Sequence, residues 1–335
     1  MSKRIIIPGG NGYLGRHLAD YFGRRDWDVV VLSRRPADVP FAQVIQWDGK
    51  ALGRWKSQID GADVVLNLSG RTVNCRYNAK NRAEIYASRL DSTRVIGQAI
   101  AASPAPPSLW FNAASATIYR HAEDRAMDEA TGEIGNGFSV DVCQNWETEF
   151  FDAPTPNTRK VALRVAMVMG PGAGGVFEAF YGITRKRLGG TLGKGTQFVS
   201  WIHLADFCRA IAFLIDHADI DGPVNLSSPN PVPNRQFMRA LRQAAGVRIG
   251  LPATKLMLEV GAVVLRTETE LLLKSRRVVP GRLLEAGFRF EHPDWATTAK
   301  DLVRQHRAEL AERRPAGLPP HRQAVVQGLE ERQHI

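Results

Sequence analysis

The chain has 335 residues, of which 44% are hydrophobic and 23% charged, a composition typical of globular proteins with a sizeable core. Its formal net charge of +10 favours anionic partners. No long basic run is interleaved with aromatic residues, however, so nucleic acid is not an expected partner.

The cysteines and the apolar stretches indicate the cellular compartment and whether a metal site is expected. Cys75, Cys143 and Cys208 are widely spaced and form no C-x-x-C motif, which argues against a disulfide framework and gives no metal site. No apolar segment has the length of a signal peptide or of a bilayer span. We therefore expect a cytoplasmic protein without a membrane partner.

Strand and helix patterns alternate through the first two thirds of the chain. Continuous Val, Ile and Leu runs predict strands covered on both faces, as parallel strands with crossover helices are. The predicted strands cover residues 5–7, 28–35, 42–48, 62–70, 108–115, 160–170 and 222–228. The predicted helices between them cover residues 14–24, 79–101, 139–151 and 204–218. This order predicts an α/β fold with a doubly wound, parallel, Rossmann-type sheet.

The sequence pattern changes after Gly170, where glycine-rich segments show no clean periodicity of apolar residues. Helical patterns return at residues 235–245, 254–265 and 298–313. We expect residues 1–228 to form a dinucleotide-binding domain, with 176–203 contributing to a substrate cleft. Residues 229–312 would form a small C-terminal domain on the substrate side. The Pro-, Gln- and charge-rich residues 313–335 are predicted to be a disordered tail.

Three glycines follow the first strand and lead into the first helix. Gly9 suits a tight turn, Gly12 lets the backbone approach a pyrophosphate, and Gly15 lets the helix pack closely on the strand. The backbone amides of Tyr13 and Leu14 lie at the start of that helix, where its dipole favours negative charge. A purely structural turn is the alternative interpretation.

The end of the second strand indicates which dinucleotide is bound. Enzymes that use NAD usually place Asp or Glu there to bind the ribose 2′-hydroxyl. This chain has Ser33, Arg34 and Arg35 instead. Because a guanidinium offers a planar fork to a 2′-phosphate, the sequence predicts NADP(H) as the cofactor.

The fifth predicted strand ends in "FNAASATIY", with Ser115 at its carboxyl end. A strand that ends in this way, after a glycine loop of this kind, resembles the extended short-chain dehydrogenase/reductase superfamily. Further stretches resemble an atypical, epimerase-like branch whose members end in a small C-terminal domain of unknown function. These stretches are "VVLNLSG" (64–70), "ASRLDSTR" (87–94), "LGGTLGKGTQFVSWIHLADF" (188–207) and "SRRVVPGRLLEAGFRFEHP" (275–293).

The resemblance, which covers about residues 3 to 305, implies a site with a missing catalytic pair. Ser115 would lie beside the nicotinamide and bind the substrate oxygen. Ser139 and Cys143 occupy the positions of the superfamily's tyrosine and lysine, a pair that members of this branch generally lack. Serine is a far weaker acid than tyrosine, and cysteine supplies no positive charge. Tyr119, close after Ser115, is a candidate for the proton donor.

The resemblance also implies positions around the cofactor. Ser33 and Arg34 would meet the 2′-phosphate, Leu68 and Ser69 the adenosine and pyrophosphate, and Val168 would lie near the nicotinamide. Glu84 and Arg89 lie on the helix that follows the fourth strand and would face the cofactor from there. An equal alternative is that they are two solvent-exposed side chains of that helix.

Two classes of function agree with these observations. The first is an NADP(H)-dependent oxidoreductase or epimerase that acts on a small-molecule substrate, with a non-standard residue moving the proton. The second is a non-catalytic NADP(H)-binding protein, such as a redox sensor or regulatory partner. The glycine loop supports both classes, Ser115 favours the first, and the missing tyrosine and lysine favour the second.

Overall fold

The computed structural model describes residues 2–35, 37–253 and 273–312. Its strands are β1 (Arg4–Pro8), β2 (Asp28–Ser33), β3 (Ala42–Gln46), β4 (Val64–Asn67), β5 (Leu109–Ser115), β6 (Arg159–Val165), β7 (Met167–Met169), β8 (Phe198–Val199), β9 (Trp201–His203), β10 (Gly222–Leu226) and β11 (Val232–Pro233). Its helices are α1 (Tyr13–Gly23), α2 (Ala79–Ala101), α3 (Phe138–Phe151), α4 (Val176–Arg185), α5 (Leu204–Asp216), α6 (Asn234–Ala245), α7 (Gly281–Glu285) and α8 (Trp295–Glu312).

Seven parallel strands form the central sheet in the order β10-β6-β5-β4-β1-β2-β3. The predicted doubly wound α/β sheet is therefore confirmed. Alternate residues of β1 face opposite layers: Ile5 and Ile7 pack with α1 and α5, whereas Ile6 packs with α2 and α3. The chain reverses its direction across the sheet between β1 and β4, and ligands of such sheets bind in the crevice at that point.

The strand predicted over 160–170 is wrong in one respect, because it breaks at Ala166. The Ala166 amide still donates to the Leu226 carbonyl at 3.0 Å, but the Met167 amide donates to the Ser200 carbonyl at 3.3 Å. From there β7 pairs with β9 in a separate two-stranded ribbon. The change of partner is a long-range event that a continuous apolar run does not reveal.

Helix α4 forms in the glycine-rich region after Gly170, where the sequence shows no clean periodicity of apolar residues. Its buried residues are Phe177, Phe180, Tyr181 and Thr184, which follow the spacing of a single helical face. Together with α6 and α8, this helix surrounds an aromatic cluster in which the rings of Phe237 and Trp295 stack at 4.1 Å. These helices form the C-terminal helical region beside the sheet.

Part of the C-terminal segment returns to the sheet. Leu283 and Phe288 are buried in the same layer as α1 and α5, and the Asn225 amide group donates to the Val279 carbonyl at 2.9 Å. The division at residue 228 thus stays a prediction. The helix predicted over 254–265 and the tail 313–335 lie outside the described residues. Within those residues, no helix combines the length and apolarity needed to cross a bilayer.

A buried ion pair joins the sheet to α3. Arg164 on β6 donates two hydrogen bonds of 2.8 Å to the two carboxylate oxygens of Glu147. The same guanidinium donates to the Tyr119 hydroxyl at 2.8 Å, and that hydroxyl donates to Asn225 Oδ1 at 3.0 Å. Because all four side chains are buried, removing one leaves the others without their partners.

Glu147→Gln should lower the free energy of unfolding by about 3 kcal/mol, because the Arg164 charge stays buried without its counter-charge. The matched control is Glu149→Gln on the same helix, whose carboxylate pairs with the half-exposed Arg94 and should change stability by less than about 1 kcal/mol. Urea denaturation of both variants gives the comparison. Equal losses would show that the buried pair has no special weight.

Candidate functional site

A cavity of about 530 Å³ opens at the carboxyl ends of the central strands. It is bounded by the loop between β1 and α1, the segment after β4, helix α2, the end of β5 and the start of α3. The structure places many of the predicted site residues in its lining, namely Gly9, Gly12, Tyr13, Leu14, Gly15, Leu68, Arg89, Ser115, Ser139 and Cys143.

Each glycine of the loop has the geometry expected for its role. Gly9 has φ +77°, and a Cβ there would lie 2.8 Å from the Ser69 amide nitrogen. A Cβ at Gly15 would lie 2.3 Å from the Cα of Gly10, so the helix packs directly on the turn. A Cβ at Gly12 would meet only the Gly9 carbonyl at 3.7 Å, which leaves space for a ligand to approach the backbone.

The start of α1 can accept an anion. Gly12 is the N-cap residue, no side chain caps the helix, and its first turn carries no acidic residue. The first amides of a helix have no partner within it, and the helix dipole gives them a partial positive charge. Tyr13 ties this turn to the segment after β7, because its hydroxyl donates to the Pro171 carbonyl at 2.7 Å. Burial raises the pKa of Tyr13 well above its usual value.

The end of β2 lies beside the same loop, outside the cavity lining. The Gly9 amide donates to the Leu32 carbonyl at 2.9 Å, which brings the next residues close to the turn. Ser33 is buried, and its hydroxyl accepts a hydrogen bond from the Arg35 amide at 3.3 Å. Arg34 is exposed at this edge.

Ser69 carries an unsatisfied polar group next to the loop. Its amide donates to Asn67 Oδ1 at 3.0 Å, whereas its buried hydroxyl has no hydrogen-bond partner within the described part of the chain. An unpaired buried hydroxyl costs stability, and a bound ligand with polar groups would supply the partner. Ser69 does not line the cavity itself.

Two arginines bring positive charge to the cavity, Arg89 from α2 and Arg71 from the segment after β4. Arg89 lines the cavity, with its guanidinium 5.0 Å from the Trp146 ring and one hydrogen bond of 3.2 Å to the Arg71 carbonyl. Arg71 also lines the cavity, a position that the sequence did not indicate. Glu84 is exposed outside the lining and forms an ion pair with Arg71. Glu84 thus contacts a residue of the cavity lining but is not part of that lining itself.

Ser115 ends β5 at the cavity. Its hydroxyl oxygen accepts a hydrogen bond from the Thr117 amide at 3.2 Å, which leaves the hydroxyl hydrogen available for a ligand. Tyr119 lies outside the lining, with its hydroxyl held between Arg164 and Asn225, and burial raises its pKa. Val168 is likewise buried in the core outside the lining.

The face of α3 toward the cavity carries no cation. Its lining residues are Phe138, Ser139, Val142, Cys143 and Trp146, a spacing that marks one helical face and was readable in the sequence. Burial raises the pKa of the Cys143 thiol to about 12, so the thiol is neutral near pH 7. The positive charge of Arg89 on α2 opposes that rise.

His203, at the end of β9, lies outside the cavity lining. Burial lowers its pKa to about 4, which leaves the ring uncharged near pH 7.

A Rossmann-type sheet with a glycine loop at its switch point defines a nucleotide-binding protein of the dehydrogenase and epimerase kind. Residues 5–227 match the NAD dependent epimerase/dehydratase family, and residues 254–302 match a domain of unknown function, DUF1731. The chain belongs to this epimerase/dehydratase family. It has the NAD(P)-binding fold of the extended short-chain dehydrogenases, as the resemblance of its motifs indicated.

Similar proteins share nearly their whole length with this chain. The epimerase family protein SDR39U1 of Bos taurus is 29% identical over 304 residues, 90% of this chain and 99% of the relative. An epimerase family protein of Mycobacterium leprae is 33% identical over 86% of this chain and 92% of its own. The crystal structure of human SDR39U1 with NADPH superposes with a TM-score of 0.80 at 27% identity, over 90% of this chain and 99% of that one.

The raised thiol pKa predicts the order of alkylation. At pH 8 a thiol with a pKa of about 12 is only ~10⁻⁴ ionised, and the reactive thiolate fraction rises about tenfold per pH unit. Iodoacetamide should therefore label the half-buried Cys75 of the native protein first and leave Cys143 unmodified, as peptide mass spectrometry would show. Buried Cys208, whose pKa is also about 12, is the internal control. Labelling of Cys143 as fast as Cys75 would contradict the burial argument.

Proposed function

We propose that the protein is an NADP(H)-dependent oxidoreductase or epimerase-like enzyme for a small-molecule substrate. The observation that carries the proposal is the meeting of the glycine loop and Ser115 in one cavity at the switch point of the sheet. NADPH in the crystal structure of human SDR39U1 supports the choice of cofactor.

Different residues of the chain would bind different parts of the NADP(H) molecule. The first amides of α1 would hold the pyrophosphate, and the unsatisfied Ser69 hydroxyl fits a polar group of the same ligand. Arg34 would bind the 2′-phosphate, because no carboxylate stands at the end of β2 to bind a 2′-hydroxyl. A bound NADP(H) supplies or accepts the hydride.

The substrate would bind between Ser115 and the face of α3. Ser115 can donate its hydroxyl hydrogen to a substrate oxygen, and Arg89 supplies the positive charge that α3 lacks. Tyr77 and Phe138, whose rings meet at 4.8 Å, add an aromatic wall to the same cavity. These features suit a compound with both a polar and an apolar part.

A non-catalytic NADP(H)-binding protein, such as a redox sensor or regulatory partner, is the second candidate. The neutral Cys143 thiol and the Ser139 hydroxyl at the positions of the missing lysine and tyrosine favour it. Both candidates require the same cofactor site, and only turnover separates them.

Calorimetric titration with NADPH and NADH tests the cofactor site. NADPH should bind at least about tenfold more tightly, a difference of ~1.4 kcal/mol, because Arg34 pairs with the 2′-phosphate. Arg34→Ala should remove most of that difference. Arg24→Ala, which alters an exposed arginine at the end of α1, is the matched control and should preserve it. Equal affinities for the two nucleotides in the wild type would reject the role of Arg34.

Consumption of NADPH with a panel of carbonyl compounds tests the chemistry. Ser115→Ala should lower the rate at least ~10²-fold, because the substrate oxygen loses its hydrogen-bond donor. The affinity for NADPH should stay unchanged, which shows that the variant is folded. Tight NADPH binding without consumption of any compound would favour the non-catalytic candidate.

A further inference from the structure

Two segments that pack against each other carry cations but no carboxylates. Residues 179–205 contain two arginines and two lysines, and residues 235–253 contain four arginines. Neither segment has Asp or Glu, although the chain has 34 acidic residues. The Leu251 amide donates to the Arg187 carbonyl at 2.8 Å, and the Gly190 amide donates to the Leu251 carbonyl at 3.1 Å. Charge of a single sign is thus concentrated where the two segments meet.

Aliphatic side chains project into solvent at the same place. Leu188, Ile249 and Leu251 are 51%, 65% and 56% exposed. Gly250 marks the inward direction of its segment, because a Cβ there would lie 2.5 Å from Arg242 Cδ. The side chains on either side of Gly250 therefore point away from the protein. Exposed apolar side chains that cluster within a polar rim are typical of a surface that contacts another protein or a membrane.

The turn that ends α4 holds a cation where glycine would be easier to accommodate. The Leu188 amide donates to the Ile183 carbonyl at 3.0 Å, and the Arg187 amide donates to the Thr184 carbonyl at 3.0 Å. These two bonds define a Schellman motif, whose left-handed residue is usually glycine. Here that residue is Arg187, with φ +61°. A strained backbone conformation that persists at an exposed residue points to a use for its side chain.

The cations at this place are available to an external partner. Lys186, Arg187 and Arg248 are exposed, and none of them forms an ion pair with a carboxylate of residues 2–35, 37–253 and 273–312. We call the surface that these cations share with the projecting aliphatic side chains the basic face; it consists of Lys186, Arg187, Leu188, Arg248, Ile249 and Leu251. Its charge requires an anionic partner, and its aliphatic side chains require one with an apolar part.

We propose that the basic face docks on the surface of an anionic phospholipid bilayer. The cations would lie against the headgroup phosphates, and the aliphatic side chains would enter the boundary between headgroups and acyl chains. A second copy of the chain would bring the same charges and repel the first, and nucleic acid offers no apolar layer for the aliphatic side chains. Docking needs neither a signal peptide nor a spanning segment, the two features whose absence led us to expect no membrane partner. None of the six residues lines the cofactor cavity, so docking is independent of the proposed function.

Flotation of the full chain with lipid vesicles tests the proposal. Vesicles of phosphatidylcholine with about one third phosphatidylglycerol should bind the protein at least ~10-fold more tightly than phosphatidylcholine alone, and salt should weaken this binding. The variant Lys186→Gln with Arg187→Gly should lose at least ~10-fold in affinity, because two cations are removed from the anionic surface. The variant Leu188→Ser with Leu251→Ser should lose a similar factor, because its apolar insertion is removed.

Matched controls change equally exposed residues elsewhere on the surface. Lys50→Gln with Arg54→Gln removes the same charge, and Leu52→Ser with Leu284→Ser removes two exposed leucines, so both should preserve vesicle affinity. Arg187→Gly alone should not lower the unfolding midpoint, because glycine suits the left-handed conformation. All variants should keep the wild-type affinity for NADPH.

Three outcomes would overturn the proposal. The first is absence of binding to anionic vesicles, or binding that survives in both variants of the basic face. The second is binding of duplex DNA, without vesicle binding, that only the variant lacking the two cations loses, which would assign the cations to nucleic acid. The third is a dimer that dissociates in the variant lacking the two leucines, which would assign the face to a second copy.

Discussion

The start of α1 depends on a close approach that only glycine permits. No side chain stands between Gly15 and Gly10, where a Cβ would lie 2.3 Å from the facing Cα, and so the helix begins directly on the turn after β1. This contact places the first helical amides at the switch point of the sheet. Tyr13 extends the arrangement, since its hydroxyl reaches the Pro171 carbonyl beyond β7.

Local patterns predicted most of the fold because its central strands are buried on both faces. Helix α2 spans Ala79–Ala101, as its pattern indicated, and the strands differ from prediction mainly at their ends. The break at Ala166 was not predictable in this way, since it depends on pairing with β9 far along the chain. Helix α4 did carry a readable spacing of apolar residues, but the glycines around it hid the signal.

Some residues of the candidate site could likewise be predicted from local sequence patterns, whereas the positions of others depend on long-range contacts. The glycine loop follows β1 and Ser115 ends β5, so the sheet sets the positions of both. Tyr119 is only a few residues further, but the short 3-10 helix Ala116–Ile118 turns the chain between the two. Its side chain therefore points into the interior toward Arg164, and contacts across the sheet decide this rather than sequence spacing. Arg71 is a cavity residue through its place after β4, a position with no motif.

The source of the positive charge bears on what the site can do. In the usual arrangement a lysine on the helix after β5 lowers the pKa of a nearby tyrosine. Here that helix presents a neutral thiol, and Arg89 on α2, beside the Trp146 ring, brings a positive charge to the cavity. No tyrosine stands at the position of Ser139 for this charge to activate. In the proposed function, its effect would fall on the substrate itself, by stabilising negative charge on an oxygen. The proton would then come from water or from the substrate rather than from an activated tyrosine.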